Sequence, residues 1–394
     1  MAKPQPLKHL DATTQQELMD RYYAGENIAA LNKEFGITCR PADLWRYFPP
    51  AQLDRNCPMC GAPLILPSSS RTAVRFHYPL AACCSACQHN ETMNCTCSKC
   101  MANRQLAKEE MLRRGRMVIP DSCQRRWAYT PLEITPRQLS AEVAVAFLSL
   151  VRCGRWIDDE TIGPLRRSAI PFTPKGIQFQ RQLIDILLDN GLIAPSPDSP
   201  QSAFSKIWSK EACWNPNAVH WRLLVPNPPA FIRQLKSLVA STDWPDGWRE
   251  GCVRLWRELA MAECRDFCAY SVAQFDLPMP GGTALSALID NLLRDFSVSQ
   301  CCQLLWTATE KATDYRVRKV TTARHASKYL IDICQLLADR TRAEGWEIKG
   351  FAREFQLPRS QVSHVLHDVF LRHGEVGFSG PINPGVATRR LDDK

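Results

Sequence analysis

The chain has 394 residues, of which 45% are hydrophobic and 23% are charged, and its formal net charge is +9. This composition excludes a disordered chain, and the length predicts two or three domains. Residues 1–16 lack an apolar signal core, and the longest apolar run, Val143 to Val151, is too short to cross a bilayer. We therefore expect a cytoplasmic protein without membrane contact, whose cysteines are reduced.

Residues 1–56 predict three short helices that form a helix-turn-helix-like unit. Thr14 and Glu17 have the spacing of a capping box at the start of the first helix. The unit contains seven Lys/Arg and seven Asp/Glu, whereas a DNA-binding face usually carries surplus positive charge. We expect it to mediate protein contacts unless three of its arginines cluster in space: Arg40, Arg46 and Arg55.

Eight of the 18 cysteines lie within residues 57–100, grouped in pairs and triplets. Two Cys-x-x-Cys knuckles supply the four thiolates of a tetrahedral zinc site, and a closed four-sulfur shell holds a fold and does not catalyse. The first predicted zinc ion is bound by Cys57, Cys60, Cys84 and Cys87. Leu64–Leu66 and Val74–Tyr78 are predicted as the two strands of a zinc ribbon over residues 57–101.

Three further thiols raise the alternative of a second zinc ion: Cys95, Cys97 and Cys100. The fourth ligand would be one of three residues: Cys83, His77 or His89. Under the opposing interpretation one knuckle is spare, or the ligands are shared differently, as in a set of Cys57, Cys60, Cys97 and Cys100. A separate group of cysteines on predicted helices is expected to be buried as small apolar side chains: Cys264, Cys268, Cys301 and Cys302.

The fold class predicted for the whole chain is mainly α and multi-domain. After the ribbon, residues 102–130 predict a basic linker helix. Residues 131–235 predict a winged-helix-like domain, because two helices are followed by two short strands, Leu192–Ala194 and Val219–Val225. Residues 236–394 show apolar spacings of three and four, which predict an α-helical bundle.

Two basic stretches are candidate contacts to nucleic acid, since lysines and arginines that neutralise phosphates bind independently of base identity. The first, residues 99–127, includes Arg113, Arg114, Arg116, Arg125 and Arg126. The second, residues 311–328, has six Lys/Arg against one acid and includes Arg316, Arg318, Lys319 and Arg324. The alternative for both is a solvated helix face.

The segment from Phe351 to Leu366 resembles the helix-turn-helix of bacterial repressors. The resemblance predicts an exposed second helix that contacts DNA through Arg359, Ser360, Gln361, Ser363 and His364. The alternative is an ordinary helical hairpin that completes the bundle.

Within the first hundred residues, Asp20–Glu26, Leu44–Pro50, the Cys57–Cys60 knuckle and Cys95–Cys100 resemble a family of bacterial proteins. These combine a helix-turn-helix with a zinc ribbon and have no characterised activity. The resemblance implies a bacterial or phage-related setting, such as a mobile-element or defence locus.

The sequence contains no phosphate-binding Gly-rich loop, zinc-protease helix or nucleophile elbow. We therefore predict a zinc-containing protein that binds nucleic acid, double-stranded DNA in particular, as a regulator or recognition subunit. It would have no small-molecule substrate and would act with protein partners or as a homo-oligomer. The alternatives are a non-catalytic scaffold subunit and a magnesium-dependent nuclease, whose metal would be bound by Asp158, Asp159 and Glu160.

Overall fold

The structure, a computed structural model, describes residues 6–76, 80–92, 94–127, 129–205 and 213–382. It is 56% helix and 7% strand, which confirms the mainly α, multi-domain prediction. Two compact units are divided between Arg113 and Arg114. Over the ranges described, no helix combines the length and the apolar character that crossing a membrane requires.

The N-terminal unit begins with three short helical segments, which are α1 (Ala12–Ala24), α2 (Ile28–Glu34) and the 3-10 helix Pro41–Tyr47. Asp11 caps α1, because its side chain accepts a hydrogen bond from the Thr14 backbone N–H at 2.8 Å. The helix thus starts before the predicted Thr14 cap. The apolar faces of the three segments share one core: Leu7, Leu18, Tyr22, Leu31, Ile37, Leu44 and Phe48.

A small antiparallel sheet follows in the order β1 (Ala51–Asn56), β2 (Pro63–Leu66) and β3 (Cys83–Cys84). The predicted strand Leu64–Leu66 is present within β2. The prediction of a strand from Val74 is wrong, because Arg71–Arg75 forms helix α3, which Ser70 caps. Tyr78, at the end of that predicted strand, lies outside the described residues. The ribbon takes its remaining strands from β1 and β3.

The basic helix α4 runs from Ser98 to Arg126 and is longer than the predicted linker helix. Its residues 101–114 are all exposed. Pro120 lies inside the helix, where it removes a backbone hydrogen bond and favours a bend.

The second unit contains two hydrophobic cores. The first surrounds α5 (Ala141–Cys153), α6 (Ile177–Asp189), α7 (Pro228–Ala240) and a sheet of β4 (Thr161–Ile162), β8 (Trp221–Leu223) and β5 (Ile193–Pro195), in that order. Between β5 and β8 lies the hairpin of β6 (Phe204–Ser205) and β7 (Cys213–Trp214). The predicted order of two helices followed by two strands is therefore present, with β4 as an additional strand.

The second core is formed by four helices, which are α8 (Trp248–Gln274), α9 (Gly282–Leu292), α10 (Val298–Arg318) and α11 (Ala323–Glu344). The cysteines predicted to be buried lie in this core together with a fifth: Cys264, Cys268, Cys301, Cys302 and Cys334. Their burial confirms their assignment as packing residues.

The C-terminal segment departs from the predicted helix-turn-helix. No helix covers Phe351–Ser360; α12 (Gln361–His364) follows, then a π-helical turn, Val365–Phe370, and α13 (Val376–Ser379). Val362, Val365 and Leu366 join the first core. The part from Ser360 onward is therefore packed against the first core, and the segment does not project a recognition helix.

Candidate metal centres and cationic tip

The first metal centre consists of the four predicted thiols Cys57, Cys60, Cys84 and Cys87. The Cys57 Sγ–Cys87 Sγ distance is 3.6 Å and the Cys60 Sγ–Cys84 Sγ distance is 3.4 Å. A tetrahedral zinc ion with Zn–S bonds of about 2.3 Å separates its sulfurs by about 3.8 Å. The spacing therefore fits one ion, and all four cysteines are free of disulfides.

Local backbone geometry positions these thiols. Cys57 follows β1, and the turn after it closes through the Gly61 N–H to the Cys57 carbonyl, 2.9 Å, with Gly61 in the left-handed region at φ 76°. The Met59 N–H points at Cys57 Sγ at 3.4 Å. Pairing of Leu64 with Cys84 between β2 and β3 brings the second knuckle opposite the first. The sheet register therefore determines which cysteines meet.

A second cluster unites His89 with Cys95, Cys97 and Cys100. His89 Nδ1 lies 3.4 Å from Cys95 Sγ, 3.9 Å from Cys97 Sγ and 3.2 Å from Cys100 Sγ. His89, Cys95 and Cys97 are buried. One nitrogen and three sulfurs converging in this way form a Cys3His donor set, which is an ordinary zinc shell.

Of the proposed fourth ligands, the structure brings His89 into the second cluster, while His77 lies outside the described residues. The assignment of Cys83 as a ligand is wrong, since it belongs to neither described cluster. Cys83 and Cys84 are adjacent on β3, and successive strand residues point to opposite faces, so only one can enter the first cluster. The shared set of Cys57 and Cys60 with Cys97 and Cys100 is likewise not formed.

The two centres are joined by a single residue, because Gln88 separates Cys87 of the first from His89 of the second. Gln88 has a left-handed backbone, φ 58°, and the Cys84 N–H donates to the His89 carbonyl at 2.7 Å. This reversal turns His89 away from the first centre. The sequence pattern that indicates this second centre is His89 followed by three cysteines within the next eleven residues.

Backbone N–H groups favour the thiolate form at one cysteine of each centre. The pKa of Cys84 is lowered to about 6, mainly by the Cys87 backbone N–H. The pKa of Cys95 is lowered to about 6, mainly by the Asn90 N–H, whose nitrogen lies 3.3 Å from its sulfur. Since the thiolate is the metal-binding form, both centres have a ligand that is ionised near neutral pH.

The start of α4 packs on both metal centres. Lys99 Nζ donates to the Met59 carbonyl at 2.6 Å, and the Arg104 guanidinium donates to the Cys95 carbonyl. These contacts attach the first turns of the basic helix to the metal-binding loops.

The predicted phosphate contacts of α4 are exposed, and several engage neighbours on the same helix. Arg113 pairs with Glu110 at 2.8 Å, and Arg125 pairs with Asp121. Arg126 lies over the Trp127 ring, 5.2 Å from its centroid. Two more predicted contacts, Arg114 and Arg116, are also exposed.

The second basic stretch forms what we call the cationic tip, the turn between α10 and α11 with Arg316, Arg318, Lys319, Arg324 and Lys328. All except the half-buried Arg316 are exposed. Arg316 donates to the Asp276 carbonyl at 3.0 Å and Arg318 to the Asp314 carbonyl at 3.4 Å. Across the described part of the chain, none of the five forms a salt bridge, in contrast to Arg342 farther along α11.

The C-terminal residues predicted to contact DNA are not available for it. Ser360, Gln361 and Ser363 are buried, with 1%, 7% and 0% exposure, so their predicted exposure is wrong. Ser360 caps α12 through the Ser363 N–H, and Gln361 accepts from Arg152 at 3.3 Å. The remaining two, Arg359 and His364, both pair with Asp368.

Several other residues that the sequence proposed as binding or catalytic groups form ion pairs. In the N-terminal unit, Arg46 pairs with Asp43 and Arg55 with Glu91, so that neither is an uncompensated cation; no ion pair is found for Arg40 in the described ranges. Of the proposed nuclease carboxylates, Glu160 pairs with Arg222 at 2.9 Å. Asp158, Asp159 and Glu160 form no metal-binding group among the described residues.

In comparisons with known proteins, no family model, no curated protein and no solved structure matches this chain.

Proposed function

We propose that the chain is a zinc protein that binds double-stranded DNA as a regulator or recognition subunit, with its cationic tip as the main contact. The observation that carries the DNA-binding part is the group of five cations at the tip, none of which is neutralised by a salt bridge in the described residues. Each metal centre binds one zinc ion.

The donor sets support zinc. Four thiolates, or three with an imidazole, suit this ion in tetrahedral geometry, whereas magnesium and calcium prefer oxygen ligands. Among the described residues, the apolar core beside the first centre contains four buried ones, Cys57, Leu64, Ala82 and Cys84, of which two are proposed ligands. So small a core cannot stabilise the ribbon alone, and the ion supplies the missing free energy of folding.

The tip supports phosphate binding by electrostatics and by shape. Its cations are brought together where two antiparallel helices meet, and Tyr315 stacks on Tyr329 across that junction with ring centroids 4.2 Å apart. The aromatic pair braces the tip, so its cations are presented from a rigid support. Uncompensated cations that neutralise DNA phosphates release the counterions condensed on the DNA.

The resemblance of the first hundred residues to bacterial helix-turn-helix and zinc-ribbon proteins supports a role in a mobile-element or defence system. A scaffold subunit is the second candidate, favoured by two large apolar side chains at the surface: Trp346 with 57% exposure and Phe355 with 94%. Aromatic side chains are enriched in the cores of protein interfaces.

The test is fluorescence anisotropy with a labelled duplex between about 50 and about 200 mM salt. In the variant Arg316→Gln/Lys319→Gln/Arg324→Gln, we expect affinity to fall at least tenfold and the slope of log K against log salt to decrease by about 2 to 3. The control variant Arg233→Gln/Lys236→Gln/Lys349→Gln removes the same charge elsewhere and should change little. Equal losses in the two variants, or no binding by the natural chain at low salt, would reject the proposal.

A further inference from the structure

Val320, the residue after Lys319 at the end of α10, has an unfavourable conformation. Its backbone lies in the left-handed region at φ 47°, and its side chain is 93% exposed. The Thr321 N–H bonds back to the Arg316 carbonyl at 3.1 Å, which closes the helix in the manner that normally places glycine at this position. A β-branched residue there is a steric outlier.

A second apolar side chain stands beside this one. Val317, in the last turn of α10, is 71% exposed. Cations surround the pair along the chain: Arg316 precedes it, Arg318 and Lys319 lie between the two valines, and Arg324 follows. An exposed valine in a strained backbone adds nothing to the stability of the isolated chain, so this arrangement points to a ligand.

The chemistry of the surroundings identifies the class of ligand. The cations favour a polyanion, and an exposed apolar side chain among cations suits the minor groove, where apolar wedges enter between base pairs and bend the duplex. An exposed stacking platform for single strands is not offered, because Tyr315 already stacks on Tyr329. Insertion into a membrane surface requires an amphipathic helix with a large apolar face, whereas this turn presents two valines among cations.

Building on the proposed DNA binding, we infer that Val320, supported by Val317, is a wedge that enters the minor groove of double-stranded DNA and bends it. The cations of the tip contact the phosphates on either side of the insertion. The apolar residues bend the duplex and the cations supply the overall affinity, so the two contributions are separable.

The experiment uses the full chain and a duplex of about 30 base pairs with a donor and an acceptor dye at its ends. Binding of the natural chain should raise energy transfer. Val320→Asn keeps all cations and tolerates a left-handed backbone, so it should bind with roughly fivefold to tenfold lower affinity and without the rise. Leu336→Asn, which changes another exposed residue on α11, should behave like the natural chain.

Val320→Gly provides a check on folding, because glycine relieves the strain at φ 47°. It should leave the melting temperature unchanged or raise it by about 2 °C, and it should also abolish bending. Absence of DNA binding by the natural chain would reject the proposed function and the wedge together. Unchanged bending by Val320→Asn at full affinity would reject the wedge alone. Sedimentation with phosphatidylserine vesicles that depends on Val320, without DNA bending, would assign the tip to membranes instead.

Discussion

Two regions of this molecule are rich in cysteine, and they use the thiol in opposite ways. In the metal-binding block the donors converge in two groups of four. There the pKa of Cys84 is lowered to about 6, chiefly by the Cys87 N–H, while burial and the neighbouring sulfurs raise the pKa of Cys87 to about 12 despite the His89 N–H. In the core formed by α8, α10 and α11, burial raises the pKa of Cys268 to about 12. The same residue type therefore stands in groups that could hold a metal ion in one region and is a neutral apolar side chain in the other.

The two regions also differ in what holds them together. The bundle core contains 23 buried apolar residues among those described, whereas the cluster beside the first metal centre contains four. If the proposed ions bind, a region with so little apolar burial depends on them for its stability, whereas a region with a full core does not. Each prediction below changes one side of this comparison.

The largest effect is expected from loss of a ligand of the first centre. Cys84→Ser should remove one zinc ion and unfold the ribbon, since structural zinc contributes on the order of 10 kcal/mol to such modules. Hydrogen exchange measured by mass spectrometry should show loss of protection in β1 and β2, with α8 and α10 unchanged. Cys83→Ser is the matched control and should retain both ions; loss of an ion in that variant would contradict the ligand assignment.

His89 tests the second centre in the same manner. His89→Ala leaves three thiolates and should lower zinc affinity by at least about tenfold, while His89→Cys restores a four-sulfur shell and should restore binding. Competition with a chromogenic zinc chelator measures the zinc affinity of both variants. If His89→Ala held its second ion as firmly as the natural chain, another residue would have to complete that shell.

A smaller effect is expected in the bundle. Cys268→Ser places a hydroxyl in an apolar core and should lower the free energy of unfolding by about 1 to 3 kcal/mol without loss of metal. Urea denaturation followed by circular dichroism gives the first quantity, and metal analysis gives the second. Loss of zinc from this variant would show that the bundle cysteines are not simply packing residues.

Histidines, like cysteines, occur both in a candidate metal centre, as His89, and buried in the second unit, as His367. His367 is buried, with its Nδ1 2.8 Å from His373 Nε2, and burial holds its pKa well below the usual value. It is neutral when folded, whereas in the unfolded chain it binds a proton as pH falls through about 6.5. Its contribution to stability is therefore present above that pH and lost below it, by up to about 1.4 kcal/mol per pH unit.

Urea denaturation at pH 7 and at pH 5.5 measures this dependence. In His367→Gln, the difference in unfolding free energy between the two pH values should decrease by about 1 kcal/mol. An unchanged difference would mean that His367 binds its proton equally in the folded and unfolded chain.

The sequence predicted most about the regions where chemistry is local. The first four-cysteine cluster follows from knuckle spacing, and the mainly helical class follows from apolar periodicity. The sequence did not show that His89, and not Cys83, completes the second cluster. That choice depends on the structure of β3, where adjacent residues point to opposite faces. Only one of its two adjacent cysteines can therefore enter the first centre.

The C-terminal segment shows why exposure is harder to predict. Its apolar residues Val362, Val365 and Leu366 are buried as their spacing predicts, but the opposite face is covered as well. The Gln361 N–H, for instance, donates to the Pro171 carbonyl at 2.8 Å. A periodic pattern identifies one buried face and gives no information on what packs against the other.

The comparison between the two cysteine-rich regions is tested most directly by native mass spectrometry of the full chain, with the number of bound zinc ions as the readout. The account predicts two ions per chain, one fewer in Cys84→Ser and in His89→Ala, and two in both Cys83→Ser and Cys268→Ser. A single ion in the natural chain, or loss of an ion in Cys268→Ser, would contradict it.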